Sequence, residues 1–351
     1  MNWEKNVRKV TPYVPGEQPN KFDMIKLNTN ECPYPPAPGI FSAVHDLDIS
    51  SLRLYPDTSS TLLVNALSEY YQIDKKQIFV GVGSDDVLAM SFLTFFNSDK
   101  PILFPDITYS FYDVWAELFR IPYKTQALDE KFKICAEDYF IPNGGIIVPN
   151  PNAPTGELES LDLIEDVVKA NPGVVVIIDE AYIDFGGISA LPLIQKYENL
   201  LIVQTFSKSR AMAGIRIGYA FGSEKLIRYL SDVKFSFNSY TMNMPSIELG
   251  AMAVKDDIYF KKIVSKIIAT RERIKPQLRV LGFELTDSKS NFIFATHPKY
   301  TAYELQDMLR KKNIFVRHFA KPRIDNYLRI SIGTDEQMDI LLRVLRDYMR
   351  Q

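Results

Sequence analysis

The stretch GVVVIIDEAYIDF, residues 173–185, decides the fold. Five β-branched residues, Val174 to Ile178, follow one another with no polar interruption. A strand with one face in water alternates apolar and polar residues, so a continuous run belongs to a sheet covered by helices on both faces. The run ends at Asp179, and a carboxylate at the end of a buried strand is costly unless something pairs with it.

The same pattern recurs on either side. IFVGVG (78–83), PILFPD (101–106), GIIVPN (145–150), LLIVQTFS (200–207) and RIGYAFG (216–222) read as further strands. SDDVLAMSFLTFF (84–96), SFYDVWAELF (110–119) and ESLDLIEDVVKA (159–170) read as helices between them. Strands alternating with helices predict an α/β domain with a mostly parallel sheet. Residues 243–276 form one long helical pattern. After it VLGFELT, SNFIFAT, IFVRHF and YLRISIG alternate with the helical TAYELQDMLRKKN and DEQMDILLRVLRDYM, which predicts a smaller α+β unit. The first forty residues, rich in Pro, Asn and Gly, read as an irregular arm. The expected division is 1–40 as an arm belonging to the small domain, 41–260 as the large domain and 261–351 as the C-terminal small domain.

The 351 residues are 46% apolar and 24% charged, with a net charge of −2. That is the make-up of a soluble globular enzyme, and it excludes bulk attraction to nucleic acid or an anionic membrane. A bound phosphate would have to be held by a few placed cations and amides. Cys32 and Cys135 are too few for a disulfide framework, and His45, His297 and His318 have no metal-ligand spacing, so no metal is expected. The charged N-terminus MNWEKNVRKV lacks the apolar core of a signal peptide, and no run approaches ~18 apolar residues; a cytoplasmic protein is expected.

TFSKSRAMAGIRIGYA (205–220) carries the most chemistry. Lys208 stands in the turn that follows a Val/Ile-rich strand, and ligands of open α/β sheets bind at the carboxyl ends of strands. A partly desolvated lysine there can lose its proton and attack an aldehyde. Arg210 or Arg216, close by in sequence, can meet a phosphate. Asp179, at its own strand end, suits a protonated ring nitrogen, and Tyr182 lies three residues on. Asn152 sits in the turn PNPNAPTGE (149–157). The turn GVGSDD (81–86) offers the N–H groups of Ser84, Asp85 and Asp86 at a helix N-terminus, a place suited to phosphate. Tyr109 in FPDITYSFY (104–112) can stack on a flat ring. Each feature taken singly has a plainer reading as a solvated turn lysine, a helix cap or a packed aromatic. Their order along one chain changes that.

NPxxPTG, DEAY and SKxxxxAGxRxGY, in this order, resemble the fold-type-I pyridoxal-5′-phosphate (PLP) aminotransferases. TPYVPGEQP (11–19), KLNTNECPYPP (26–36), LYPD (54–57) and YLRISIGT (327–334) extend the likeness over nearly the whole chain. The sequence most resembles the histidinol-phosphate aminotransferases of the class II group. The resemblance implies a large domain with a mostly parallel seven-stranded sheet flanked by helices, plus a smaller α+β domain. It implies Lys208 as the Schiff-base lysine, Asp179 as partner of the ring nitrogen, Asn152 and Tyr182 as partners of the ring oxygen, and Tyr109 as the stacking aromatic. Ser84, Asp85, Ser207 and Arg216 would bind the cofactor phosphate. Tyr55, in LYPD, would reach the cofactor phosphate of a neighbouring subunit, which implies a homodimer with shared active sites. The loop departs from the family's NPNNPTG at Ala153, and the phosphate turn ends in Asp86 where Glu is common.

For substrate, the resemblance implies Arg329 as the anion anchor, with a second arginine and Tyr13 helping. Arg317 falls at the place of that second cation, and Arg323 competes for it. The implied reaction is L-histidinol phosphate with 2-oxoglutarate, a small amino donor with a 2-oxo acid acceptor. An aromatic-amino-acid aminotransferase or a threonine-phosphate decarboxylase would use the same core motifs. A non-catalytic binding module has no need of an acid–base lysine.

Overall fold

The computed structural model describes residues 3–19 and 23–350. Of the arm expected over 1–40, residues 1–2 and 20–22 lie outside the described residues, as does residue 351 of the C-terminal unit. The first strand, β1 (Ile25–Leu27), leaves the arm for a small sheet otherwise built from the end of the sequence. The larger sheet comprises β2 (Ile78–Gly81), β3 (Ile102–Pro105), β4 (Tyr123–Gln126), β5 (Ile146–Pro149), β6 (Val176–Asp179), β7 (Leu200–Thr205) and β8 (Gly218–Phe221). Their spatial order is β2-β8-β7-β6-β5-β3-β4. β8 runs antiparallel to both its neighbours, and all other neighbours run parallel. The seven-stranded, mostly parallel sheet expected from the sequence is present.

Successive residues of the central strands enter opposite cores. Val176 and Ile178 of β6, Ile146 and Val148 of β5 and Leu200 and Ile202 of β7 pack on one face, against α2 (Thr61–Tyr71), α5 (Leu161–Ala170) and α7 (Met244–Lys255). Ile177, Ile147, Leu201 and Val203 pack on the other, against α3 (Ser84–Phe95), α4 (Tyr112–Phe119) and α6 (Glu224–Phe237). The short α1 (Pro38–His45) leans on α7. This two-sided cover is why the strands carry no polar alternation, and each buried Val or Ile contributes about 1.5–3 kcal/mol.

The small sheet has the order β1-β11-β12-β10-β9, from β9 (Glu284–Leu285), β10 (Phe292–Thr296), β11 (Ile314–His318) and β12 (Tyr327–Ser331). It shares a separate core with α8 (Asp257–Val280), α9 (Ala302–Lys311) and α10 (Asp335–Met349).

Three expectations need correction. The single helix read over 243–276 is two, α7 and α8, broken at Asp256, whose carboxylate caps α8 by accepting from the Tyr259 amide at 3.2 Å. The strand read in the apolar run from Val174 begins only at Val176 and ends at Asp179. The strand read over 216–222 starts at Gly218, and Arg216 has a left-handed backbone with φ +58°.

Candidate active site

The chain leaves β2, β3, β5, β6 and β7 at one edge of the large sheet, and the loops that follow line a cavity of about 180 Å³. Ser84, Asp85, Tyr109, Asp179, Tyr182, Ser207, Lys208 and Arg216 all border it. Residues scattered over some 130 positions of sequence thus meet because parallel strands deliver their C-terminal ends to the same place. A second cavity is lined by Tyr13, Arg317 and Arg329, and it shares Tyr109, Tyr182 and Lys208 with the first. Lys208 therefore stands at the junction of two chambers.

The floor of the first chamber is anionic. Asp179 is 5% exposed, accepts from the Tyr112 hydroxyl at 2.7 Å and the Ala181 amide at 3.2 Å, and has no cation within ion-pair distance among the described residues. Burial, only partly offset by those two hydrogen bonds, pushes its carboxyl up to about 6. A buried carboxylate in that condition gains from a cationic ring nitrogen beside it. Tyr182, 9% exposed, accepts from the Asn30 amide at 2.9 Å and meets the edge of Phe292. Lys208 Nζ lies 3.4 Å from the Thr29 carbonyl and 5.8 Å from the Tyr182 ring.

The opposite end is a cationic, amide-lined turn. The residue before α3 is Gly83, which has φ +85° and no side chain to cap the helix, and the first-turn residues Ser84 and Asp85 border the cavity. A Cβ on Gly83 would lie 2.4 Å from the Arg216 guanidinium, and one on Gly218 would lie 2.2 Å from the Gly83 backbone. Only glycines let the two turns approach so closely. Arg216 pairs with Asp85 at 3.2 Å and reaches Ser207 Oγ at 3.5 Å. The Tyr109 hydroxyl donates to the other Asp85 oxygen at 2.8 Å, and burial with that carboxylate raises the phenol well above its usual range. Arg210, the other candidate cation beside the lysine, sits elsewhere. It is buried among the rings of Phe260, Tyr70 and Phe206 and donates to the Ala253 carbonyl at 3.0 Å.

Arg329 and Arg317 face each other across the β11–β12 pair. Arg329 donates to the Asn28 carbonyl at 3.1 Å, while its Nε is buried with no hydrogen-bond partner among the described residues. Burial, with Arg317 beside it, lowers its pKa. Arg317 reaches the Val14 carbonyl at 3.4 Å, and Tyr13 stacks on Phe111 with ring centres 4.1 Å apart. Arg323 lies outside this chamber, bound to Asp106 at 2.8 Å and to the Leu128 and Asp129 carbonyls.

Asn152 borders neither cavity of this chain, and neither does Tyr55, which is expected to reach the site of a neighbouring subunit. The Asn152 amide donates to the Ile107 carbonyl at 2.9 Å and Thr155 Oγ1 at 3.1 Å, so serving a ring oxygen requires it to exchange a partner. Tyr55 is 79% exposed and lies against Tyr240, away from both cavities of its own chain. Asp86 turns back to accept from the Val82 amide at 2.9 Å. Sequence reading missed Tyr112, Asn30, Thr29 and Glu31. Tyr112 and Asn30 touch Asp179 and Tyr182 only through tertiary packing, and no local pattern announces them. Glu31 and Thr29 border the first cavity from the arm, within a segment quoted above for its resemblance alone.

The donor set fits a flat heteroaromatic with a ring cation at one end and a phosphate at the other. A buried carboxylate faces the first, and an uncapped helix terminus with two hydroxyls and a guanidinium faces the second.

Residues 23–345 match the family model "Aminotransferase class I and II". The chain is 50% identical over 350 residues to a histidinol-phosphate aminotransferase of Lactococcus lactis subsp. cremoris (strain SK11), covering 100% of this chain and 98% of that protein. Among solved structures it superposes on the histidinol-phosphate aminotransferase of Clostridium acetobutylicum with TM-score 0.86 and 25% identity, over 93% of this chain and 99% of that one. It shares the fold of the Sinorhizobium meliloti histidinol-phosphate aminotransferase solved with pyridoxal-5′-phosphate, at TM-score 0.85 and 22% identity, over 93% and 91% of the chains.

Proposed function

This chain belongs to the class I and II aminotransferases, which are PLP-dependent, and from that membership we propose that it converts L-histidinol phosphate and 2-oxoglutarate to imidazole-acetol phosphate and L-glutamate. One observation carries the substrate: two arginines, opposite each other and free of carboxylate partners among the described residues, line a chamber that opens onto Lys208. A pair of guanidiniums suits a phosphate dianion or the carboxylates of glutamate, the two anions this reaction must hold in turn. The full-length relative at 50% identity supports the same reading.

In this reading Lys208 holds the cofactor through its amine, Asp179 its ring nitrogen, Tyr182 and Asn152 its ring oxygen, and Tyr109 its face. Ser84 and Asp85 at the α3 terminus, with Ser207 and Arg216, hold its phosphate. When bound, PLP supplies an electron sink that makes the Cα–H bond of an amino donor acidic. Lys208, at the junction of the chambers, takes the proton from the donor's Cα as general base and returns a proton as general acid. Asp179 stays ionised beside a cationic ring nitrogen, so the opposite charge offsets the burial that raises its pKa in the bare protein. Arg329 and Arg317 hold the anionic end of the substrate and, with Tyr13, fix its Cα near Lys208.

Residues 41–260 form the cofactor-carrying domain in this account, and 1–40 with 261–351 the second; the pairing of β1 with β11 supports the grouping. A homodimer completes the site. Tyr55 projects from a surface that also exposes Ile49, Leu52 and Leu54, an apolar patch that a second copy would cover while receiving Tyr55 at its own phosphate end. Among the described residues no helix is long and apolar enough to cross a membrane, and a biosynthetic transaminase would work in the cytoplasm. The deciding experiment assays L-histidinol phosphate, phenylalanine, tyrosine and threonine phosphate, each against 2-oxoglutarate. Histidinol phosphate should have the highest kcat/KM. A preference for phenylalanine, or carbon dioxide release from threonine phosphate, rejects the reading.

A further inference from the structure

Glu31 borders the first cavity but not the second, the one the two arginines line, and Lys208 borders both. Its Oε2 takes the Lys26 ammonium and, at 2.8 Å, the Thr29 hydroxyl, while Lys26 also donates to Thr29 at 2.8 Å. This triangle closes on one carboxylate oxygen. The other, Oε1, has no hydrogen-bond partner among the described residues. Two anchors on Oε2 hold the head group in place while leaving an acceptor at the cavity mouth. The adjoining Thr29 carbonyl accepts from Lys208, so the arm places this acceptor two residues from the contact with the central lysine.

An amino donor whose Cα lies at Lys208 and whose anionic end lies on Arg329 and Arg317 must direct its remaining substituent away from the arginines. Resting on the substrate reading above, we infer that Glu31 is a specificity-determining residue that accepts a hydrogen bond from the imidazole N–H of the donor. Neutral imidazole carries one N–H and imidazolium two, and both donate to carboxylate. A phenyl ring carries none and leaves the Glu31 carboxylate to be desolvated without return. The Glu31 side chain is 44% exposed in the free chain, and an acceptor that a bound donor shields from water without pairing is penalised, so hydrogen bonding discriminates more than pocket shape alone.

The test compares kcat/KM for L-histidinol phosphate with that for L-phenylalaninol phosphate, which keeps the phosphate and replaces only the ring, in wild-type holoenzyme and in Glu31→Ala and Glu31→Gln. Both substrates are measured on one preparation, so any loss of folded enzyme cancels in the ratio. The ratio should fall about 10- to 100-fold in Glu31→Ala, the worth of a hydrogen bond to a charged group, and by less in Glu31→Gln, which keeps a neutral acceptor. A wild-type preference for histidinol phosphate that persists in Glu31→Ala overturns this inference alone. A wild-type enzyme with no such preference overturns the substrate reading beneath it as well.

Discussion

Arg317 and Arg329 are direct cross-strand partners on β11 and β12, two guanidiniums side by side lining one chamber. Like charges opposite one another weaken a sheet by a few tenths to about 1 kcal/mol unless an anion lies between them. Arg317→Leu should therefore leave the holoenzyme equally or more stable without added anion, yet abolish most of the gain in Tm that inorganic phosphate confers on the wild type. Its kcat/KM for histidinol phosphate should fall about 10- to 100-fold. Calorimetry with and without phosphate, beside steady-state kinetics, checks both; an equal phosphate response in the two proteins contradicts the anion role.

Lys208→Ala should lose transamination altogether. No other amine is placed at the junction of the two chambers among the described residues, so nothing else can move the Cα proton. Rapid mixing with glutamate should show no conversion of bound cofactor on the time scale of wild-type turnover, and the absorbance band of lysine-bound cofactor should be absent. A variant that still turns over at a substantial rate removes Lys208 from the mechanism.

Asp179 gives a pH signature in the cofactor-free protein. Its carboxyl ionises at 3.8 in the unfolded chain and at about 6 when folded. A raised carboxylate pKa means the folded state binds more protons between those values, so stability falls as pH rises through that window. Its neighbour Glu180, pushed by burial from 4.5 up to about 7, adds a similar slope. Asp179→Asn should remove the first contribution. Compared with wild type it should be no more stable at pH 3.5, and more stable at pH 7.5 by something on the order of 1–3 kcal/mol. Its PLP affinity should fall. Denaturant titrations of both apoproteins across pH 3.5–7.5 measure the difference; a pH-independent difference refutes the assignment.

Tyr55 tests the shared site. Tyr55→Ala should weaken PLP binding and activity even though Tyr55 is remote from both cavities of its own chain. Mixing Tyr55→Ala and Lys208→Ala proteins and allowing subunits to reassort should restore about a quarter of wild-type activity, because half the dimers carry one intact composite site. Recovery no greater than the sum of the parents would place Tyr55 in its own subunit's site or outside any.

The large sheet was legible because two-sided burial leaves a direct mark, the runs IIV, VVVII and LLIV. β4 escaped notice because YKTQ is an edge strand with three of its four residues exposed, and exposure leaves no apolar pattern. The break at Asp256 was hidden for the opposite reason, since α7 and α8 both continue a helical pattern and only a side-chain cap separates them. Lys208 and Asp179 stood out because both end apolar strands, where a charge needs a purpose.

Composition and order of segments alone determined the class of fold, the lysine–carboxylate pair and the glycine-bearing turns, since these depend on burial and backbone conformation that each residue carries locally. Tertiary structure alone decided which arginine stands beside Arg329, that Arg210 belongs to an aromatic cage, that Tyr112 supports Asp179 and that Glu31 stands at the cavity mouth. Those facts depend on side-chain directions set by strand register and loop packing, which bring together residues such as Tyr112 and Asp179, 67 positions apart, that no local pattern relates.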